Sequence, residues 1–236
     1  MLLTLLLIFG FCVSGQYSQV NGLENPWTLL DEVIALIASE KYDESLQKLK
    51  QVLENESNFA DAYAVEGLVL YKQGKYNESL TPLETAINLY EDGNASFAQS
   101  YNRVYGSKGI PYYYYANSLF MLGRYNESAD SYSSAIAAFE NYANALNMQP
   151  HPISCHIFDG KSTCIIIYPD GDRGYMDRAF IYAINAAKSS NNASLSEVYY
   201  WKGNLLYELG RTDESMQYYN KAKAINESLT PYSRDD

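Results

Sequence analysis

Residues 60–89 read ADAYAVEGLVLYKQGKYNESLTPLETAINL, and the fold follows from how this stretch divides. Ala60–Gly74 reads as a helix stopped by Gly74, since glycine adopts the left-handed conformation that ends helices. From Tyr76 a second helix places Leu80, Leu83, Ala86, Ile87 and Tyr90 on one face. Pro82 fits only near the first turns of that helix, where amides lack helical partners. Gly67 falls where the two helices cross most closely, and a missing side chain there lets the backbones approach.

The pattern returns along the chain as YDESLQKLKQVL, YNESLTPLETAI, YNESADSYSSAI and TDESMQYYNKAK. Tyr42 to Tyr76 is 34 residues, Tyr76 to Tyr125 is 49 and Tyr125 to Thr212 is 87. These spacings are a 34-residue period with two insertions. Ala116 and Gly203 occupy the place of Gly67 in the later copies.

The stretch resembles a tetratricopeptide repeat, a helix-turn-helix unit with an aromatic, Gly, Gly-x-Tyr and small-residue pattern. Tyr63, Gly67, Gly74, Tyr76, Leu83 and Ala86 hold those places, with Ser79 where alanine is usual. The resemblance extends to Tyr112–Ala138 and Tyr199–Ala224, and more weakly to Leu29–Leu53, over half of the chain beyond residue 15. It implies an all-α solenoid of about four irregular repeats over residues 26–236. Two stretches depart from it. Residues 91–110 make an unusually long connection, and residues 148–173 replace a helix. YMDRAFIYAINAAK (175–188) then reads as the second helix of a repeat that has lost its first.

Residues 148–173 are expected to hold an inserted β-hairpin. Asp159-Gly160 between β-branched runs favours a two-residue turn, which would set Cys155 opposite Cys164. That pair suits a disulfide; free thiols or a metal site are the alternatives. Zinc held by His151, Cys155, His156 and Cys164 is disfavoured, because adjacent strand residues point to opposite faces. Asp170, Asp172 and Asp177 resemble the start of a calcium loop, but Ile181 stands where the closing glutamate belongs. A solvated turn is the plain reading, and no metal or cofactor is expected.

The chain begins MLLTLLLIFGFCVSG, too short to span a bilayer and too apolar for a soluble start. Residues 1–15 are expected to be a signal peptide cleaved before Gln16, with residues 16–25 an N-terminal arm. A short membrane anchor is the alternative. The expected location is therefore secreted or at the cell surface, with no membrane span in the mature chain. Among 236 residues the net charge is −11, which argues against nucleic-acid or anionic-membrane binding, since either needs a basic face. Neither a phosphate-binding loop nor a dinucleotide turn, HExxH or GxSxG occurs, so no catalytic residue is assigned and an enzyme is not expected.

The resemblance implies a concave groove lined by the first helix of each pair. By position it carries Tyr71, Tyr113, Asn117, Phe120, Tyr200, Asn204 and Tyr207. Aromatics supply contact area and Asn can bond an extended backbone, so a peptide, protein or glycan is the expected ligand. The competing reading makes these aromatics core. Family members that clamp a chaperone's C-terminal carboxylates use Lys and Arg there; this groove has Lys72 alone.

Two further expectations concern the surface. Asn55, Asn77, Asn94, Asn126, Asn192 and Asn226 each begin an N-x-S glycosylation sequon, all placed at turns or helix ends. After the last repeat, INESLTPYSRDD is too short and Pro-broken to cap the solenoid. An uncapped end could stack on the start of another copy, making a fibre or surface subunit.

Overall fold

The computed structural model describes residues 26–94, 101–147, 151–158, 161–167 and 173–231. The expected signal segment 1–15, the expected arm 16–25, the expected turn at Asp159-Gly160, and Asp170 and Asp172 lie outside the described residues. Eight helices are described: α1 (Pro26–Ala38), α2 (Tyr42–Asn55), α3 (Ala60–Lys72), α4 (Tyr76–Glu91), α5 (Tyr101–Met121), α6 (Tyr125–Asn147), α7 (Arg178–Glu208) and α8 (Thr212–Ile225). Each odd-numbered helix packs on the even-numbered one that follows, giving four pairs in an all-helical solenoid.

The turns inside the pairs share one geometry. Gly74, Gly123 and Gly210 lie at φ +75°, +75° and +74°, the left-handed region that glycine enters without penalty. The next amide then reaches five residues back: Lys75 N–H to Leu70 O at 2.9 Å, Arg124 N–H to Leu119 O at 2.9 Å, and Arg211 N–H to Leu206 O at 2.8 Å. These bonds satisfy carbonyls that the helix end would leave bare. In the first pair Glu40 makes the same turn at φ 58°, where a side chain is strained.

The second helix of each pair buries one seryl side chain in its first turn: Ser45, Ser79, Ser128 and Ser215, all at 0% exposure. Ser128 Oγ donates to Ala116 O and Ser215 Oγ to Gly203 O, both at 2.8 Å, tying the second helix to the carbonyl at the helix crossing. The crossings are close. A Cβ on Gly67 would sit 2.3 Å from Leu83 Cγ, and one on Gly203 would sit 2.8 Å from Tyr219 Cε1.

The core has two parts that meet at α3. One holds Leu30, Val33, Leu49, Val52, Val65 and Val69, from α1, α2 and one face of α3. Fully burying a side chain of this size contributes about 2 kcal/mol. The other runs from Leu68 and Leu83 through Ala116, Tyr132 and Phe139 to Val198 and Leu205. After the last helix, Leu229 packs back on this second core, so part of the tail the sequence leaves uncapping folds onto the solenoid.

Three strands, β1 (His151–Phe158), β2 (Lys161–Ile167) and β3 (Arg173–Asp177), form an antiparallel sheet in that order. The register sets Cys155 against Cys164 and slips between Pro152 and Ser154. β2 and β3 lie against α7.

Three sequence expectations need correction. Residues 101–110, expected to belong to a connection, are the first half of α5, and Pro111 sits inside that helix. Tyr175–Asp177 belong to β3, so Asp177 is a strand residue and not part of a solvated turn. The helix beginning at Arg178 does not end at Lys188; α7 continues for 31 residues to Glu208. Its central SSNNAS contains neither Gly nor Pro, so nothing in it breaks a helix. Two of its polar groups are taken inward: Asn191 and Ser194 are buried, as is Ser196 just beyond, and Asn191 Nδ2 donates to Phe139 O at 3.1 Å.

Candidate functional site

First helices of neighbouring pairs touch: α3 meets α5, and α5 meets α7. The second helices α4, α6 and α8 have no comparable contact with one another among the described residues. Closer spacing on one side means the stack curves toward the first helices, so their free face is the inner one.

The seven expected groove residues separate into two groups on that face. Tyr113, Asn117 and Asn204 are buried, at 5%, 5% and 4% exposure. Asn117 Oδ1 accepts from Tyr132 Oη at 2.5 Å, and Asn204 Oδ1 accepts from Tyr219 Oη at 2.7 Å. Both Asn carbonyls are thus used inside the repeat, which corrects the expectation that they bond a ligand's backbone. Both tyrosines lie 15 residues further on, a partnership that helical periodicity within one element does not reveal.

Tyr71, Phe120, Tyr200 and Tyr207 remain half-buried. The Tyr71 ring lies 5.5 Å from those of Tyr76 and Tyr114. Phe120 stands 5.5 Å from Tyr125 and 6.4 Å from Trp201, whose ring is 5.9 Å from that of Tyr200. These separations suit tilted and edge-to-face packing, so the rings support one another while one side of each meets water.

One group here has no counterpart among the expected residues. Glu197 lies one turn before Tyr200 on α7, and its Oε2 is buried without a hydrogen-bond partner among the described residues. Burial pushes its carboxyl up to about 7, with the Lys72 ammonium pulling the other way. The neighbouring phenols respond: Tyr113 and Tyr114 are pushed well up, first by burial and then by the Glu197 charge. Nothing in its spacing sets Glu197 apart from an exposed helix carboxylate; its burial does.

The outward side is fastened differently. Lys202, 8% exposed, donates from Nζ to Ser133 Oγ at 2.7 Å and lies 4.5 Å from the Tyr218 ring centre. Tyr199 Oη donates to Glu140 Oε1, joining α7 to α6. An open cleft of about 570 Å³ lies between α2, α3 and α4, floored by Leu46, Leu53 and Leu70 and edged by Glu54, Glu66 and Glu78.

All six sequon asparagines are exposed. Asn192 falls in the middle of α7 and not at a turn, a correction that follows from the continuity of that helix. The hydroxyls of Ser79 and Ser128 in two sequons are buried and bonded, so their serines also serve the repeat. No cluster of metal-ligating side chains occurs among the described residues, and no described helix is long and apolar enough to cross a membrane.

Tetratricopeptide repeat models match residues 30–98 and 196–229. No curated protein matches the chain. Among solved structures it is similar to MamA MSR-1 C2, at 13% identity over 89% of this chain and 81% of that one, TM-score 0.46. It is similar to MamA from Desulfovibrio magneticus RS-1, at 11% identity over 86% and 96%, TM-score 0.37. It is also similar to the TPR2AB domain of yeast Sti1 in its pHSP90 complex, at 12% identity over 86% and 78%, TM-score 0.41. The α5–α6 pair lies between the two matched stretches and repeats the Ser and Tyr–Asn bonds of the last pair. Two stretches of the chain, residues 30–98 and 196–229, therefore match the tetratricopeptide repeat.

Proposed function

We propose that this chain is an exported interaction scaffold that binds an extended segment of a protein or peptide along the inner face of α3, α5 and α7. The observation carrying this reading is the set Tyr71, Phe120, Tyr200 and Tyr207, each half-buried on a first helix after its neighbours have been absorbed into the core. Rigid aromatics held half out of water give contact area at little entropic cost. The proposed activity is binding without chemistry, and it requires no cofactor. The test is a random peptide library selected on the native chain. Selected peptides should bind Tyr200→Ala and Phe120→Ala chains about tenfold more weakly, in keeping with the loss of an aromatic anchor. Unchanged affinity in both folded variants would remove the inner face from consideration.

Export, a Cys155–Cys164 disulfide and sugars at the exposed sequons belong to the same proposal. Their support is the apolar N-terminal run, the strand register and the exposure of all six asparagines. Intact mass of the protein from its native source reads all three at once. A second reading, end-to-end assembly, is favoured by the exposed Met216 and Ile225 on α8, the last described helix. Sedimentation at rising concentration should then show growing species; a strict monomer would count against assembly.

A further inference from the structure

The repeat does not itself need an acid where Glu197 stands. The equivalent place in the third pair is Ile110, 2% exposed, and in the second pair Asp61, which is engaged within the protein. At Glu197 a carboxylate oxygen is instead enclosed without a hydrogen-bond partner among the described residues. Enclosing a charged acceptor unpaired is costly, and an amide or aliphatic side chain of similar size would relieve it. The charged groups around it are few. From α3 comes Lys72, which is exposed and forms no ion pair with it. From α5 come the phenols of Tyr113 and Tyr114, which stay neutral in the physiological range. The Lys72 ammonium acts on Glu197 through space, but no donor bonds its enclosed oxygen, on a chain whose net charge is −11.

We propose that Glu197 receives the cationic side chain, lysine or arginine, of the peptide that occupies the inner face, with Tyr200 one turn away covering its aliphatic stem. This rests on the inner-face reading given above. A cation meeting a half-buried carboxylate beside aromatic rings gains from both, since less water competes there than at the open surface. The site therefore selects basic segments, opposite in sign to what a Lys/Arg-lined groove would take.

The experiment uses pools of acetylated, amidated octapeptides, random except for one central lysine, arginine, norleucine or glutamate. Binding to the full chain is read by fluorescence anisotropy at pH 8 and pH 5. At pH 8 the lysine and arginine pools should bind about tenfold more tightly than the norleucine pool, the glutamate pool no better than norleucine. That preference should vanish at pH 5, where Glu197 is protonated, and in Glu197→Gln at either pH, while norleucine binding stays the same. Equal binding of lysine and norleucine pools, with Tyr200→Ala weakening both, would overturn the cation site and leave the inner face standing. Binding indifferent to both Tyr200→Ala and Glu197→Gln would overturn the two together. A lysine preference that survives Glu197→Gln would move the cation elsewhere and overturn the assignment.

Discussion

The first two helix pairs and the last two solve the same packing problem with different chemistry. Where the inner helix crosses its partner, the first pairs carry Ile34 and Leu68, with Leu49 and Leu83 at the matching place on the second helix. The third pair and the last carry Asn117 and Asn204 there, bonded to Tyr132 and Tyr219. The seryl hydroxyls follow the same division. Ser45 bonds back to Lys41 O, within its own turn, and Ser79 bonds back to Tyr76 O and across to Ser118 Oγ. Ser128 and Ser215 bond across to the carbonyl at the crossing of their own pair. An aliphatic contact is tolerant of small shifts; a buried hydrogen bond holds only at one distance and angle. The polar half is thus fixed more closely in register, and it is the half that carries Glu197, Phe120, Tyr200 and Tyr207.

The crossing itself should be the most sensitive feature in both halves. Gly67→Ala would put a Cβ 2.3 Å from Leu83 Cγ in a filled core. We expect a loss of about 3 kcal/mol by denaturant titration, even after the better helix propensity of alanine. Gly203→Ala, with 2.8 Å to the edge of the Tyr219 ring, should lose less. Equal losses would mean that the aliphatic crossing yields as readily as the aromatic one.

The hydrogen-bonded pairs come next. Tyr132→Phe strands Asn117 Oδ1 in a buried place and should destabilise by about 2 kcal/mol. Adding Asn117→Leu, which copies the Leu68 arrangement, should recover much of that loss, because no acceptor is then left bare. A double variant worse than the single one would show that the polar half cannot adopt the aliphatic solution.

Glu197 makes the polar half sensitive to pH. Its folded-state carboxyl titrates at about 7, above the ordinary value of 4.5, so the folded chain holds the proton more tightly than the unfolded chain. The contribution to stability is full below 4.5 and is lost as pH rises through 7. Glu197→Gln should therefore be more stable than the native chain at pH 8, by no more than about 2 kcal/mol because the carboxylate is partly solvated, and nearly equal at pH 4.5. Thermal melts at the two pH values would show it, and a gap independent of pH would contradict the burial argument.

The smallest effect belongs to the aliphatic half. Glu40→Gly should stabilise by about 1 kcal/mol, since the turn already sits at φ 58° and glycine removes the strain. No gain would mean that the Glu40 side chain compensates for its backbone.

Much of this was legible in the sequence, for reasons that follow the range of each interaction. The helix-turn-helix period rests on local signals: Gly74, Gly123 and Gly210 end helices, and Ser79 with its equivalents recurs in phase. The groove was legible only as a stripe. Whether Asn117 faces a ligand or Tyr132 is decided by a partner on another helix. Residues 101–110 fell outside the repeat pattern, yet α5 runs through them with Pro111 in its interior, and the helix from Arg178 runs on through SSNNAS, where Asn191 bonds Phe139 of α6. Glu197 was invisible because the groups it acts on and is acted on by, Lys72, Tyr113 and Tyr114, belong to two other repeats.

Hydrogen exchange with and without a selected peptide examines the inner face most directly. Binding should slow exchange in α3, α5 and α7, around residues 64–71, 113–120 and 197–207, and leave the outer surfaces of α4, α6 and α8 unchanged. Protection confined to α4, α6 and α8, or to the cleft edged by Glu54, Glu66 and Glu78, would place the partner elsewhere and contradict the reading.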